Sequence, residues 1–592
     1  MIALHVLHIA KFKNYLAVLL IFIATTSTQA QGVWTPLRDT FPTGSGGLML
    51  LLTDGSVMAK ANSGDTDGVG NDWYKLTPDK TGSYINGTWS KIASMHNTRN
   101  FFSSQVLRDG RVYVAGGEYG NGGAGGEIYD PLSNSWTLTP SLISDTVFSD
   151  ANSEMLPDGR ILQAYVSGGF SYGRGNYIFD PVSNTYSPGP GCFASHNESA
   201  WVKLKDSSIL FIDYYGTSSE RYIPSLNIWV KDGTVPVNLY DVGGEMGAGF
   251  LLPDGRAFFL GASGKTAYYT PSGNKNPGIW TPGPIMPNGQ GAPDAPAAMM
   301  VNGKILFATC PIATNPSKEF DSTNNNTSFY EFDYTTNTYT KLHTPLGTDT
   351  MHGYVFRSTM LDLPDGNVLY SQLGMNQYFV YTPAGMPLIV GQPTINSVTK
   401  INCDTFFVTG TLFNGISEGA AYGDDWQMAT NYPIVRLMAA DSTVYYARTY
   451  NWNRTGIATD TLYDTSFFTL PMGLPTGKYS LVVSANGNPS KTVSFSTCHV
   501  GVDDIELVKG ANLLAYPNPA SKQVTITFFT DDVFSYELKL IDMYGRAVYS
   551  SDGNAIAGKN ANEVQLDGIA KGLYTVILRQ VNNVSYAKLV ID

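Results

Sequence analysis

Ser104-Gln105-Val106-Leu107-Arg108-Asp109-Gly110-Arg111-Val112-Tyr113-Val114 places apolar residues on both sides of an Asp-Gly pair. Apolar/polar alternation marks a half-buried strand, and Asp-Gly between two such runs marks a tight hairpin whose central residues reach positive φ. The phrase recurs along the chain at Asp54-Gly55, Asp109-Gly110, Asp158-Gly159, Asp206-Ser207, Asp254-Gly255, Asn302-Gly303 and Asp365-Gly366. Five of the six intervals measure 48 to 55 residues and the last measures 63. A strand-turn-strand unit repeating near this period predicts the blades of a seven-bladed β-propeller.

A second phrase follows each turn by about twenty residues: an aromatic and a proline, a small polar turn, then another aromatic. It reads Tyr129-Asp130-Pro131 to Trp136, Phe179-Asp180-Pro181 to Tyr186 and Tyr222-Ile223-Pro224 to Trp229. Weaker copies are Tyr269-Thr270-Pro271 to Trp280 and Phe332-Asp333-Tyr334 to Tyr339. Each unit thus offers four strands, and stability must come from stacking on neighbours. The last unit has Tyr381-Thr382-Pro383 without a following Trp strand, whereas Val33-Trp34-Thr35-Pro36 resembles Ile279-Trp280-Thr281-Pro282. The N-terminal strand is therefore expected to close the ring, giving a propeller over residues 31–390.

With 592 residues, several domains are expected. A net charge of −12 argues against nucleic acid, whose binders carry basic stripes. Lys11 and Lys13 ahead of the apolar run 15–24, with Thr28-Gln29-Ala30 before Gln31, read as a signal peptide over residues 1–30. No later segment has the length of a membrane span, so no transmembrane segment is expected in the mature chain. The four cysteines match no zinc pattern. Cys403 and Cys498 bracket one domain and could join its first and last strands; for Cys192 and Cys310, buried thiols and a bridge are both open.

From residue 391 to 499 the period breaks into alternating segments such as Thr405-Phe406-Phe407-Val408-Thr409 and Tyr479-Ser480-Leu481-Val482-Val483, read as an immunoglobulin-like sandwich. A linker over 500–511 leads to a tail over 512–592. Its Tyr516-Pro517-Asn518-Pro519, Asp542-Met543-Tyr544-Gly545-Arg546, Gly572-Leu573-Tyr574 and terminal Lys588-Leu589-Val590-Ile591-Asp592 resemble the type A sorting domain of the type IX secretion system. That resemblance implies a small β-sandwich, a Bacteroidota-type bacterium, engagement of the type IX secretion machinery, and a secreted or cell-surface product. The fold class expected is all-β throughout.

Propeller plus sandwich, roughly residues 33 to 498, resembles the galactose oxidase and glyoxal oxidase architecture of seven kelch-type blades and an early-set sandwich. The closest local match is Met95-His96-Asn97-Thr98-Arg99-Asn100-Phe101-Phe102-Ser103-Ser104 running into the first-quoted turn. The resemblance implies a copper-ligating tyrosine eight residues before that turn, where this chain has Phe101. It implies a radical tyrosine and a ligand histidine at Phe356 and Arg357, and a further histidine near Tyr446-Ala447-Arg448-Thr449. A cross-linked cysteine is implied around residues 44–47 and a stacking tryptophan near Tyr119; neither residue type is present there. Copper binding needs imidazole or phenolate donors, so copper is not expected. The segments Asn197-Glu198-Ser199-Ala200-Trp201-Val202, Asp294-Ala295-Pro296-Ala297-Ala298 and 413–427 are also similar to a widespread group of secreted kelch proteins whose chemistry is unassigned.

The turn phrase also serves as a ruler. Eight residues before each copy stand Gly46, Phe101, Asp150, Glu198, Met246, Asp294 and Arg357, expected to start the innermost strands and ring one mouth of the channel. Glu245 and His196 lie beside this set. A polar ring in a concave site suits a small polar ligand such as a glycan, or a protein partner. Its carboxylates could equally hold a hard cation such as Ca²⁺, act as acid and base on a glycosidic bond, or simply be solvated. His352 and Tyr354 are weaker candidates. Asp424-Asp425-Trp426-Gln427 could line the channel, although a strand-end turn is the simpler reading. The expected protein is a secreted kelch binding module, with a carbohydrate-active enzyme or divergent oxidase as the alternative.

Overall fold

The computed structural model describes residues 31–592 apart from 63–68, 143–145, 168–174, 215, 316–324, 424–425, 498–512, 531, 543–544 and 580–583. The signal peptide over 1–30, Cys498, the linker over 500–511, and Asp424, Asp425, Met543 and Tyr544 therefore lie outside the described residues. The chain divides into two compact units, one ending at Cys498 and one beginning at His499.

Seven antiparallel sheets build the propeller among the described residues: five of four strands, one of five in blade 3, and one that the sandwich hairpin helps extend to eight in blade 6. Each repeat phrase forms the hairpin between the two inner strands, as in Ser103–Val106 with Val112–Ala115 and Ala297–Met299 with Ile305–Pro311. The turn differs from the two-residue form expected. Only its last residue has positive φ, 75 to 90° at the six glycines and 64° at Ser207. In blade 1, Leu52 N–H donates to Ser56 O at 2.7 Å and Gly55 N–H to Leu52 O at 2.9 Å, the pattern of a three-residue hairpin with a bulge. The aspartate never enters the left-handed region. Its carboxylate accepts the N–H two residues on, 3.0 Å from Ser56 to Asp54 and 3.0 Å from Arg111 to Asp109, a local bond that short polar side chains favour in turns.

The second phrase builds the blade core. Its two aromatics face each other across the outer strands with ring centroids 5.1 Å apart for Tyr129–Trp136, 4.7 Å for Phe179–Tyr186, 5.3 Å for Tyr222–Trp229, 5.0 Å for Tyr269–Trp280 and 4.7 Å for Phe332–Tyr339. Blade 7 obtains the same pair across the ring closure. Val33–Pro36 pairs with Phe379–Thr382 and sets Trp34 opposite Tyr381, centroids 4.7 Å apart.

The sandwich strands run in the order Thr394–Lys400, Thr405–Thr411, Asp464–Thr469, Val444–Tyr450, Ile434–Met438, Lys478–Ala485. This domain covers the turn end of the propeller. Thr449 N–H donates to Thr53 O at 3.2 Å, Arg108 Nε to Trp452 O at 2.6 Å, and Thr455 Oγ1 to Leu156 O at 2.9 Å. From it a hairpin, Gly419–Ala421 and Gln427–Ala429, leaves for the propeller and pairs with the innermost strand of blade 6 through Ala297–Ala421 and Ala298–Ala420. Small residues along Gly419–Ala421 let the hairpin fit inside a bore already lined by seven strands. Cys403 is exposed ahead of its strand; Cys192 and Cys310 stand in different parts of the propeller.

The second unit is a sandwich of a three-stranded sheet and a four-stranded sheet enclosing its own core of Val524, Ile526, Leu538, Val576 and Leu589. Asn518, between two prolines, accepts the N–H of Val590 at 2.8 Å and donates to Lys588 O at 2.7 Å, fastening the start of the domain to its last strand. Gly545 at φ 80° closes the turn between Phe534–Asp542 and Ala547–Ala555, with Arg546 Nε donating to Asp542 Oδ2 at 2.8 Å.

Candidate functional site

Because the turns meet the sandwich, the opposite ends of the inner strands form the other mouth of the channel. Four of the seven positions eight residues before the turns share one unusual backbone conformation: Phe101 at φ 49°, Asp150 at 46°, Glu198 at 51° and Asp294 at 43°. Non-glycine residues rarely occupy this left-handed region, and it costs about 1–3 kcal/mol each. Gly46, Met246 and Arg357 do not share it.

This geometry assembles the acidic side. Glu198, Glu245 and Asp294 each bring a carboxylate oxygen within 4.8 Å of the other two. Burial pushes the Glu245 carboxyl up to about 7, with hydrogen bonds to Asp294 and Glu198 acting against it and the charges of Asp241 and Asp150 adding to it. Burial likewise raises Asp150 to about 6. Asp241 holds the Glu245 loop by accepting the N–H groups of Gly243, Gly244 and Glu245 at 2.8, 3.0 and 3.2 Å.

The hairpin from the sandwich arrives between these acids and an aromatic wall. A Cβ placed on Gly423 would stand 2.7 Å from Asp294 Oδ1 and 2.6 Å from Met246 O, so only glycine permits that approach. Three residues on, Trp426 stacks on Phe101 with centroids 4.7 Å apart; Tyr422, Tyr119 and Phe356 each lie 6.1 Å from Phe101. The Arg357 guanidinium covers Tyr354 at 5.3 Å and Phe356 at 5.4 Å. The indole N–H of Trp426 is buried with no hydrogen-bond acceptor among the described residues.

Below the mouth the bore is nearly full. Gln427 bonds Asn152 with its amide N–H, and its carbonyl accepts from Ser104 Oγ at 2.9 Å. Lys203 Nζ lies 2.6 Å from Glu154 and 3.3 Å from Glu418. A cavity of about 30 Å³ beside the hairpin has room for about one water.

Several expectations are corrected here. His196 does not join the carboxylates. Its ring is fully buried, stacked on Phe211 at 4.2 Å and flanked by Trp201 and Trp229 at 5.2 and 4.8 Å, and burial lowers its pKa to about 3. The segment 446–449, where a sandwich histidine was expected, lies on the turn end: Tyr446 touches Gly55, and Arg448 donates to Asp109 O. The sandwich residues that do reach the mouth include Tyr422, Gly423 and Trp426. Trp426 belongs to the segment 424–427, read above as a possible channel lining and more simply as a strand-end turn. His352 is exposed and bonds Asn325 at 3.2 Å. Tyr422 was not singled out as a wall residue, and the small residues around it were the available signal.

Comparison with known proteins gives the class of protein this architecture defines. Residues 106–143 match the kelch motif, and residues 514–592 match the secretion system C-terminal sorting domain. Spermatocyte protein spe-26 of Caenorhabditis elegans is 34% identical over 113 residues, 17% of this chain and 18% of that protein. Kelch-like protein terF of Aspergillus terreus is 29% identical over 130 residues, 21% of this chain and 26% of that protein. The chain thus spans about a fifth to a quarter of the curated relatives it matches. Among solved structures, a fungal alcohol oxidase of the AA5 family in complex with copper aligns at 15% identity and TM-score 0.47, over 79% of this chain and 100% of that one. A streptogramin B lyase aligns at 13% identity and TM-score 0.41, over 60% and 98%.

The protein is an all-β chain whose propeller carries a kelch motif. It carries a type IX sorting domain and is exported, to the medium or to the cell surface.

Proposed function

We propose that this exported propeller is a glycan-binding protein whose site is the mouth around the hairpin tip. The observation that supports it most is the gathering of Glu198, Glu245 and Asp294, with carboxylate oxygens within 4.8 Å of one another, beside the hairpin tip at Gly423. Carboxylates accept hydrogen bonds from sugar hydroxyls, and a carboxyl poised near neutrality, as Glu245 is, both accepts and donates. Phe356, partly buried, and Tyr119, exposed, both pack on the buried Phe101 and offer apolar surface against which a sugar ring packs. Pockets that combine an apolar wall with a few convergent polar groups are the usual form of small-ligand sites.

A second reading is favoured by the oxygens of Glu198, Glu245 and Asp294 lying within 4.8 Å: a hard cation such as Ca²⁺ held there, either alone or bridging to the glycan. Oxidase chemistry would need metal donors where Phe101 and Phe356 have none.

The test is a glycan array with the full chain, followed by calorimetry on the best ligand with Phe356→Ala and the double variant Glu198→Gln/Asp294→Asn. Each is expected to weaken binding about tenfold or more, as loss of a central contact does. A blank array, together with binding of Ca²⁺ that the double variant abolishes, would leave only the cation reading. Wild-type affinity in both variants would remove the mouth from consideration.

A further inference from the structure

We propose that the outward face of the four-stranded sheet in the sorting domain is the surface that the type IX secretion machinery grips. The argument is independent of what the propeller binds.

Some of the residues that make the tail recognisable in sequence are occupied with folding, and others, Leu573, Lys588 and Val590, stand on the sheet's outward face. Asn518 is bonded to the last strand through both ends of its amide, and Arg546 is bonded to Asp542 at the turn. What a receptor meets must therefore be a surface these residues shape. The domain presents two outward sheet faces, and they differ. On the three-stranded sheet, Gln523 and Thr525 lie opposite Gln565 and Glu563, Thr527 opposite Ala561, and Phe529 opposite Lys559. Its apolar members, Leu514, Tyr516 and Phe529, sit on a short edge strand and at one strand end.

On the four-stranded sheet, burial alternates along Gly572–Arg579, with Tyr574, Val576 and Leu578 inward and Leu573, Thr575, Ile577 and Arg579 outward. Register carries that outward row onto its neighbours: Leu573 faces Val590, Thr575 faces Lys588, Ile577 faces Tyr586 on one side and Lys539 on the other, and Thr575 faces Ile541. Five apolar side chains thus lie together across the middle of the sheet, with Leu573 49% and Tyr586 65% exposed. Among the charges between and around them, Lys539, Lys588 and Arg579 outnumber Asp552 and Glu537, the latter paired with Lys539 at 2.5 Å. An exposed apolar patch with a charged rim is the anatomy of a protein interface. Because this unit is a sorting domain, the partner it fits is a component of the secretion apparatus presenting an apolar surface with an acidic border.

The test uses the full chain in a bacterium carrying the type IX system. The fraction outside the cell is measured for Leu573→Ser/Tyr586→Ser, for Lys588→Glu/Lys539→Glu, and for the opposite-face control Glu563→Ala/Gln565→Ala. Thermal melts of the purified chains report whether each tail still folds. Both variants of the proposed face are expected to export about tenfold less than wild type, the loss a central interface contact produces, while the control exports normally. Should the serine variant lose its fold, the exposed charge reversals carry the result by themselves. Normal export of a folded variant of this face, or an equal loss in the control, overturns the proposal.

Discussion

Glu245 shows how backbone placement becomes electrostatics. It sits one residue before a position of the ring, and burial beside Glu198, Asp294 and Asp150 lifts its carboxyl from the ordinary 4.5 to about 7. A carboxyl raised in the fold holds its proton where the unfolded chain has already released it. Its contribution is present in full below pH 4.5 and is lost as the pH rises through about 7. Glu245→Gln, which keeps the neutral form's shape, is expected to melt higher than wild type at pH 8 and to flatten this part of the stability profile. Melting temperatures of both proteins from pH 4 to 9 check it, and parallel curves would mean that Glu245 ionises freely. Counting back from the turns found Phe101, Asp150, Glu198 and Asp294, because repeat position fixes where a strand starts. Sequence proximity to Glu198 misled for His196, which ends among Phe211, Trp201 and Trp229.

At the scale of strands and hairpins, the blades were legible because each makes its decisive contacts within about fifty residues, and the same aromatic pair recurs in most of them. Ring closure was legible for the same reason, since Trp34 is the missing member of the pair with Tyr381. Its indole also donates to His343 O at 3.0 Å and packs edge-on to Phe329 and Tyr370 at 5.3 and 5.5 Å. Trp34→Ala is expected to cost about 2–3 kcal/mol in urea unfolding of the full chain, the low end for large-to-small changes because the ring is only partly buried. A loss within about 0.5 kcal/mol, typical of surface sites, would show that the ring is closed by other contacts. The channel hairpin was not legible. Its strands are three residues each, and Ala297 pairs with Ala421 across more than a hundred residues, so no local pattern announces it.

For the propeller and sandwich as one body, the interlock depends on a buried charge cluster. Lys203 of blade 4 lies between Glu154 of blade 3 and Glu418 at the root of the hairpin, with Lys203 and Glu154 almost wholly out of water. Burial, then the charge of Glu418, raises Glu154 to about 8, while Lys203 works against that rise. The hairpin is thus held in the bore by one cation shared between two acids, with at least one proton available near neutrality. Removing the cation leaves two carboxyl groups facing each other away from solvent. Lys203→Met is therefore expected to destabilise the propeller–sandwich body by about 3–5 kcal/mol at pH 9, the cost of stranding a buried charge. The deficit should shrink toward pH 6, where Glu154, raised to about 8, keeps its proton in both proteins and leaves the lysine no anion there to offset. Urea unfolding at the two pH values, followed by Trp fluorescence, measures both numbers. An equal deficit at pH 6 and pH 9 would mean that Lys203 acts through packing alone. It would also mean that the hairpin stays in the channel by its ladder to blade 6 rather than by charge.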